Sequence, residues 1–337
     1  MRLPPEAKAV VTGHVCAPDS VVTLRDVFPL GGEIWHALRL VLHLTATHTT
    51  GASPIVLAGY NIFKQIQLTT SKNETIVQAP GLGMYDLNWV LKGVEPLHDP
   101  FVGTTATAYD SVIEIPFSHP LLARKEDLCI DSGRYNAITL QLVMGGADDC
   151  FGATAEGDAV ITMTLDVTLL RNKSGMEDTG KPVAVPFIKH VPQYLLTRGY
   201  TDIESAKDLT LFGFIANVQD MAVSACFDPQ VGLPYSGVPA DNIADLTFRD
   251  NIISYVDTVL MDFWREERAN YTTLDQADLA RFVGRYPWIF IREGSIYNAY
   301  WTGAKSEIKL ENNVVALGAP TTPCIDLMLF GMRQERQ

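Results

Sequence analysis

Positive charge is scarce in this 337-residue chain: 26 lysines and arginines stand against 39 aspartates and glutamates, a formal net charge of −13. No basic excess exists to displace counterions from phosphates, so sequence-independent binding to nucleic acid is excluded as its main activity. Sequence-specific nucleic acid binding is not expected either. Cysteine is sparse. Cys16, Cys129, Cys150, Cys226 and Cys324 are scattered and odd in number, without a Cys-x-x-Cys pair, and read as reduced, packed thiols. No apolar run approaches the ~18 residues of a membrane-spanning helix, and MRLPPEAKAVVTGH lacks a signal-peptide core. Synthesis in a cytoplasm is therefore the expectation, and the sequons at Asn73, Asn172 and Asn270 carry little weight. Also missing are G-x-G-x-x-G, a phosphate loop, a Ser/His/Asp order and a paired-carboxylate motif. No catalytic residue, cofactor-binding residue or metal ligand is nominated, no cofactor is implied, and the chain is not expected to be an enzyme.

What the chain does have is apolar material, 47% of residues against 19% charged, the balance of a packed globular protein of about two domains. Much of it alternates. In ALRLVLHLTATH, Leu38, Leu40, Leu42 and Leu44 share one face, while Arg39, Val41, His43 and Thr45 share the other. In AVITMTLDVTLL, Ile161, Met163, Leu165, Val167 and Leu169 oppose Thr162, Thr164, Asp166 and Thr168. SVIEIPF, NAITLQLVMG, IADLTF, PWIFIRE and CIDLMLFGM read as further strands, and FKQIQLTTSKNETIVQ as a hairpin turning at Ser71-Lys72-Asn73. Half-buried antiparallel strands follow.

Two stretches break the alternation. GLGMYDLNWVLKG predicts a helix with Leu87, Val90 and Leu91 on one side and a left-handed stop at Gly93. NIISYVDTVLMDFWREE predicts a helix over Asn251 to Glu267, capped by Asn251. Its apolar residues Ile252, Tyr255, Val256, Val259, Leu260, Phe263 and Trp264 recur at spacings of three and four. A capping box at Thr273-Leu274-Asp275-Gln276 marks a third helix, which Pro287 would bar from continuing.

The polar, glycine-containing stretch RNKSGMEDTGKPVAVP reads as a linker between halves of about 170 and 155 residues, each sized for one β-sandwich. Leu68, Thr69 and Asn73 recur as Leu246, Thr247 and Asn251 at a constant offset of 178, so the halves read as divergent copies. The expected divisions are an N-terminal arm (1–20), a first jelly roll (21–172), a linker (173–186), a second jelly roll (187–332) and a C-terminal tail (333–337). The fold class is all-β with helical insertions: two consecutive eight-stranded jelly-roll sandwiches.

From about Val21 to Met332 the chain resembles the double jelly-roll major capsid proteins of tailless icosahedral viruses, especially lipid-containing bacteriophages. IFKQIQLTTSKNETIVQ leading to GLGMYDLNWVLKG, the segment VIEIPFSHPLLARKEDLCIDSGRYNAITLQLVMGG, and IADLTFRDN leading into the second expected helix carry the resemblance. It implies upright rolls, a homotrimer with a pseudo-hexagonal footprint, and an icosahedral shell tiled by such trimers in the virion. The implied partners are further copies of the chain, vertex or minor capsid proteins, and an internal viral membrane. Gly83 to Lys92 and Asn251 to Glu267 would then buttress the two rolls. The segment RYPWIFIREGSIYNAYW is aromatic and weakly charged enough to bury at subunit contacts.

The main rival is a carbohydrate-binding or carbohydrate-active protein of two sandwiches, with Trp35, Trp89, Trp288 or Trp301 as sugar platforms. His36, His43 and His48 are close in sequence, but His36 and His43 differ in strand parity and are expected on opposite faces. Asp148, Asp149, Glu156 and Asp158 offer oxygens a calcium ion could use, yet their spacing fits no EF-hand, and a solvated loop is the expectation. Trp264-Arg265-Glu266-Glu267-Arg268 reads as surface ion pairs beside one buried indole.

Overall fold

The computed structural model describes residues 5–47, 57–93, 96, 107–119, 122, 128–151, 160–172, 184–195, 199–202, 209–220, 243–250, 253–260, 285–291, 299–301, 308–314 and 323–333. The first half runs β1 (Glu6–Cys16), β2 (Val21–Leu24), β3 (Ile34–Thr47), α1 (Ala58–Asn61), β4 (Phe63–Thr70), β5 (Thr75–Ala79), α2 (Gly81–Lys92) and β6 (Thr107–Pro116). The two-residue strand β7 (Ile130–Asp131) follows, then β8 (Ile138–Met144), α3 (Asp148–Phe151) and β9 (Val160–Asn172). The second half runs β10 (Val185–Leu195), β11 (Gly199–Asp202), β12 (Thr210–Asp220), β13 (Ile243–Asp250), β14 (Ile253–Leu260) and β15 (Arg285–Ile289). Another two-residue strand, β16 (Tyr300–Trp301), precedes β17 (Ile308–Val314) and β18 (Pro323–Arg333).

Strand order decides the architecture. Taking the eight longer strands of the first half in sequence, one sheet contains the first, eighth, third and sixth (β1-β9-β3-β6), and the other the second, seventh, fourth and fifth (β2-β8-β4-β5). The second half repeats the permutation as β10-β18-β12-β15 and β11-β17-β13-β14. Even the short strands correspond, β7 pairing with the third strand of its half and β16 with the third strand of its own. Two Greek keys folded in this order make a jelly roll, so the chain is a double jelly roll, as expected from its sequence. The rolls are not merely tethered. β5 and β10 pair in parallel, Val77 with Ile188 and Gln78 with Lys189, fusing one sheet from each roll into a nine-stranded sheet that includes β16.

The alternating segments form the expected strands. Leu38, Leu40 and Leu42 of β3 and Leu165, Val167 and Leu169 of β9 are fully buried, while Arg39, His43 and Thr164 on the opposite face are half-buried. The β4–β5 hairpin turns where expected, with Asn73 in the left-handed region at φ 59°. Helix α2 ends on Gly93, φ 66°, whose N–H donates to the Trp89 carbonyl at 2.8 Å.

Three expectations are corrected. Residues 253–260, expected in the helix from Asn251 to Glu267, form strand β14, paired antiparallel with β13 from Asp250↔Ile253 to Asp245↔Leu260. A spacing of four residues returns to the same face of a strand as well as of a helix, and Ile253, Val256, Thr258 and Val259 are β-branched. Phe263, Trp264 and the capping box at Thr273 to Gln276 lie outside the described residues. The arm expected over residues 1–20 is, from Glu6 to Cys16, the first strand of the first roll, paired with β9 from Glu6↔Arg171 to Cys16↔Met163. Its alternation is spoiled by two register shifts, between Ala9 and Val11 and between Val11 and His14, with Gly13 at φ 64°. The expected linker is also too long at its C-terminal end, because Val185 and Pro186 already belong to β10.

Candidate assembly surfaces and the seam between the rolls

Helix α2 is buried from Gly81 through Leu91, and a helix enclosed on all sides needs a second partner besides its own sheet. Its own roll supplies β4 and β6. The second roll supplies β18: Gly83 approaches Met328 so closely that an added Cβ would stand 2.6 Å from the sulfur. The helix is thus a wedge shared by the rolls. Further polar contacts tie it and α1 to β6, as Asn88 Nδ2 donates to the Glu114 carbonyl at 2.8 Å and Tyr60 Oη donates to the Val112 carbonyl at 3.0 Å. These bonds satisfy carbonyls on a strand that ends its sheet, one way of covering an edge.

Beyond β6, His119 inserts into the seam. Its ring stacks on Phe330 of β18, centroids 5.6 Å apart at 17°, and meets Phe212 of β12 edge-on at 5.0 Å and 87°. Burial pushes the imidazole down to about 3. A small cavity beside it is lined by Leu87 and Leu91 of α2, Phe117, and Phe187 and Ile188 of β10.

The outer face of β1-β9-β3-β6 is polar and cross-braced. His43 lies between two carboxylates, Nδ1 2.7 Å from Asp110 and Nε2 3.3 Å from Asp166, and the Asp110 hydrogen bond leads in raising its pKa above the ordinary value. Asp166 also accepts the Gly13 N–H at 2.6 Å, the main reason its own pKa is lowered. Burial works to raise Glu114, but Arg39 at 3.0 Å and Lys92 at 3.1 Å outweigh it and hold the carboxyl low. At the end of the sheet Arg171 pairs with Glu33 and, at 3.0 Å, with Glu6, pinning the start of β1. Val15, Val21, Val27 and Val160 are the exposed large apolar side chains among the described residues, at 75, 56, 38 and 63% exposure, all on β1, β2, the segment after β2, or the start of β9.

No protein-family model and no curated protein sequence matches the chain. Solved structures do. The major capsid protein of Sulfolobus turreted icosahedral virus superposes with a TM-score of 0.68 at 11% identity, over 98% of this chain and 96% of that one. The Faustovirus major capsid protein gives 0.63 at 9%, over 97% and 89%. That of bacteriophage PM2 gives 0.58 at 9%, over 98% and 99%. The fold is the double jelly roll of viral major capsid proteins.

Within this double jelly roll the residues weighed in the sequence are dispersed. His36 is buried with Nδ1 3.5 Å from Cys129 Sγ, whereas His43 lies on the polar face; His48 is outside the described residues. Asp149 is engaged by Lys64 at 3.0 Å and by the Gly146 N–H at 2.8 Å; Glu156 and Asp158 are outside the described residues. Among the described residues no three His, Cys, Asp or Glu side chains converge as a metal site. Trp35 and Trp89 are fully buried, so neither is a sugar platform, and Trp288 is half-buried on β15. β15 is the end strand of the nine-stranded sheet, a position that tolerates Pro287, and it carries part of the segment expected at subunit contacts. The seam at His119 had no signature in the sequence: its partners Phe212 and Phe330 lie about a hundred and two hundred residues downstream.

Proposed function

We propose that this chain is the major capsid protein of an icosahedral virus, a structural subunit of the virion rather than an enzyme. The observation that carries the reading is the strand permutation made twice and fused through β5 and β10, matched along nearly the whole chain by capsid proteins. Two similar rolls per subunit give a trimer six of them, so a threefold assembly presents a nearly hexagonal outline that can tile a surface. In this reading the rolls are residues 6–172 and 185–333, with 173–184 as the connection. Further copies of the chain are the main partner, with vertex or minor capsid proteins and an internal membrane as the others. The exposed valines on β1, β2 and β9 and the β15 edge are the candidate contact surfaces. Burial of Trp35 and Trp89 weighs against the carbohydrate reading. Multi-angle light scattering of the purified chain tests the proposal: the trimer is three times 37.1 kDa, about 111 kDa. A strictly monomeric species at micromolar concentration would overturn it.

A further inference from the structure

The rolls meet through an apolar seam, and among the described residues lining its cavity His119 is the one that can acquire a charge in mild acid. We propose that His119 makes this seam acid-sensitive: on acidification the rolls part, and the imidazole takes up a proton as it leaves its site between Phe212 and Phe330. His119 belongs to the first roll and both phenylalanines to the second, so exposing the ring requires separating the rolls or withdrawing the segment after β6. The other side chains lining the adjacent cavity are apolar or prolyl. On the elements packed there, the acidic, basic and histidine side chains are Asp86 and Lys92 of α2, Asp110 and Glu114 of β6, Lys189 and His190 of β10, and Asp326 and Arg333 of β18; the buried stretch of β12 from Thr210 to Ala216 has none. None of these lines the cavity, and it is burial that lowers the His119 pKa.

With the seam closed the ring titrates at about 3, and once exposed it returns to the ordinary 6.5. Between those values the open form binds more protons, so closure is strongest above 6.5 and weakens as pH falls toward 3. From pH 7.5 to 5.0 this linkage raises the opening equilibrium roughly thirtyfold. The effect belongs to the single subunit and does not depend on whether the subunit builds a shell.

The test is hydrogen exchange of the full chain at pH 7.5 and 5.0, corrected for intrinsic exchange rates. Peptides from α2 and β18 are expected to open about thirtyfold more at pH 5.0, while peptides from the β4–β8 pair in the first roll stay unchanged. In His119→Phe, or in His119→Leu if the larger ring prevents folding, the pH dependence at α2 and β18 should disappear. If neither variant folds, the contrast between seam and reference peptides in the unsubstituted chain decides. Acceleration that is uniform along the chain, absent from the seam, or retained in a folded His119 variant overturns the proposal.

Discussion

Replacing Gly331 by alanine should damage the second roll far more than the same change at Gly83, although both glycines lie on the path between the rolls. At Gly331 an added Cβ would overlap the backbone carbonyl of Thr210 on β12 and approach Phe187 Cε1 to 3.0 Å. Neither neighbour can yield cheaply. β18 is held between β12 and β10, with Leu211 opposite Gly331 on one side and Phe187 opposite it on the other. The methyl group must therefore spread a closed ladder, an overpacking cost at the upper end of the usual range, about 3 kcal/mol. With about 2.1 cal/mol/K of unfolding entropy per residue, that is a fall in Tm of roughly 4 °C for a chain of this length. At Gly83 the added Cβ meets the thioether of Met328, which can turn aside, and alanine favours the helix by about 1 kcal/mol. Its net effect should lie within about 1 kcal/mol of zero. Differential scanning calorimetry of both variants is the assay. Equal effects, or a neutral Gly331→Ala, would refute the packing described for the seam.

Three further outcomes follow from the first roll. His43 has a raised pKa, so its contribution is complete below the unfolded value of 6.5 and lost as pH rises through the folded value. The stability gap between the unsubstituted chain and His43→Gln in urea titrations should therefore shrink from pH 6 to pH 9, and a gap that widens refutes the sign. Arg171→Ala leaves the buried Glu33 without its ion-pair partner and should cost about 3–5 kcal/mol by denaturant unfolding; a loss below about 1 kcal/mol would contradict the pairing. Val15→Asp and Val160→Asp should change subunit stability by no more than about half a kcal/mol, since both side chains are exposed, yet lower the yield of trimers or particles. Unchanged assembly would remove these valines from the contact surface.

Where a strand has one buried face, the sequence displays it. β3 and β9 are legible because leucines and methionine alternate with threonine, arginine and histidine. β12 is not, because Leu211, Phe212, Phe214 and Ile215 are all buried and both faces of the strand meet apolar groups, which erases the alternation. β14 was obscured in another way, by apolar spacings of four that suit strand and helix alike. The correct reading of it was nonetheless present in the repeat. Leu68 and Thr69 lie in the fourth strand of the first roll and Leu246 and Thr247 in the fourth strand of the second, so the constant offset aligns β13 with β4 and makes β14 the counterpart of β5, a strand. The seam is the least legible feature, since no local pattern announces that His119 will meet Phe212 and Phe330.

The central claim is that two fused jelly rolls make this chain a capsid subunit, and cryo-electron microscopy of the purified, concentrated protein tests it most directly. Three copies around a threefold axis, with six upright rolls in a nearly hexagonal outline and such units tiling into curved sheets or closed shells, is the predicted image. Separate two-roll particles without threefold units, under every condition that keeps the chain folded, would contradict it.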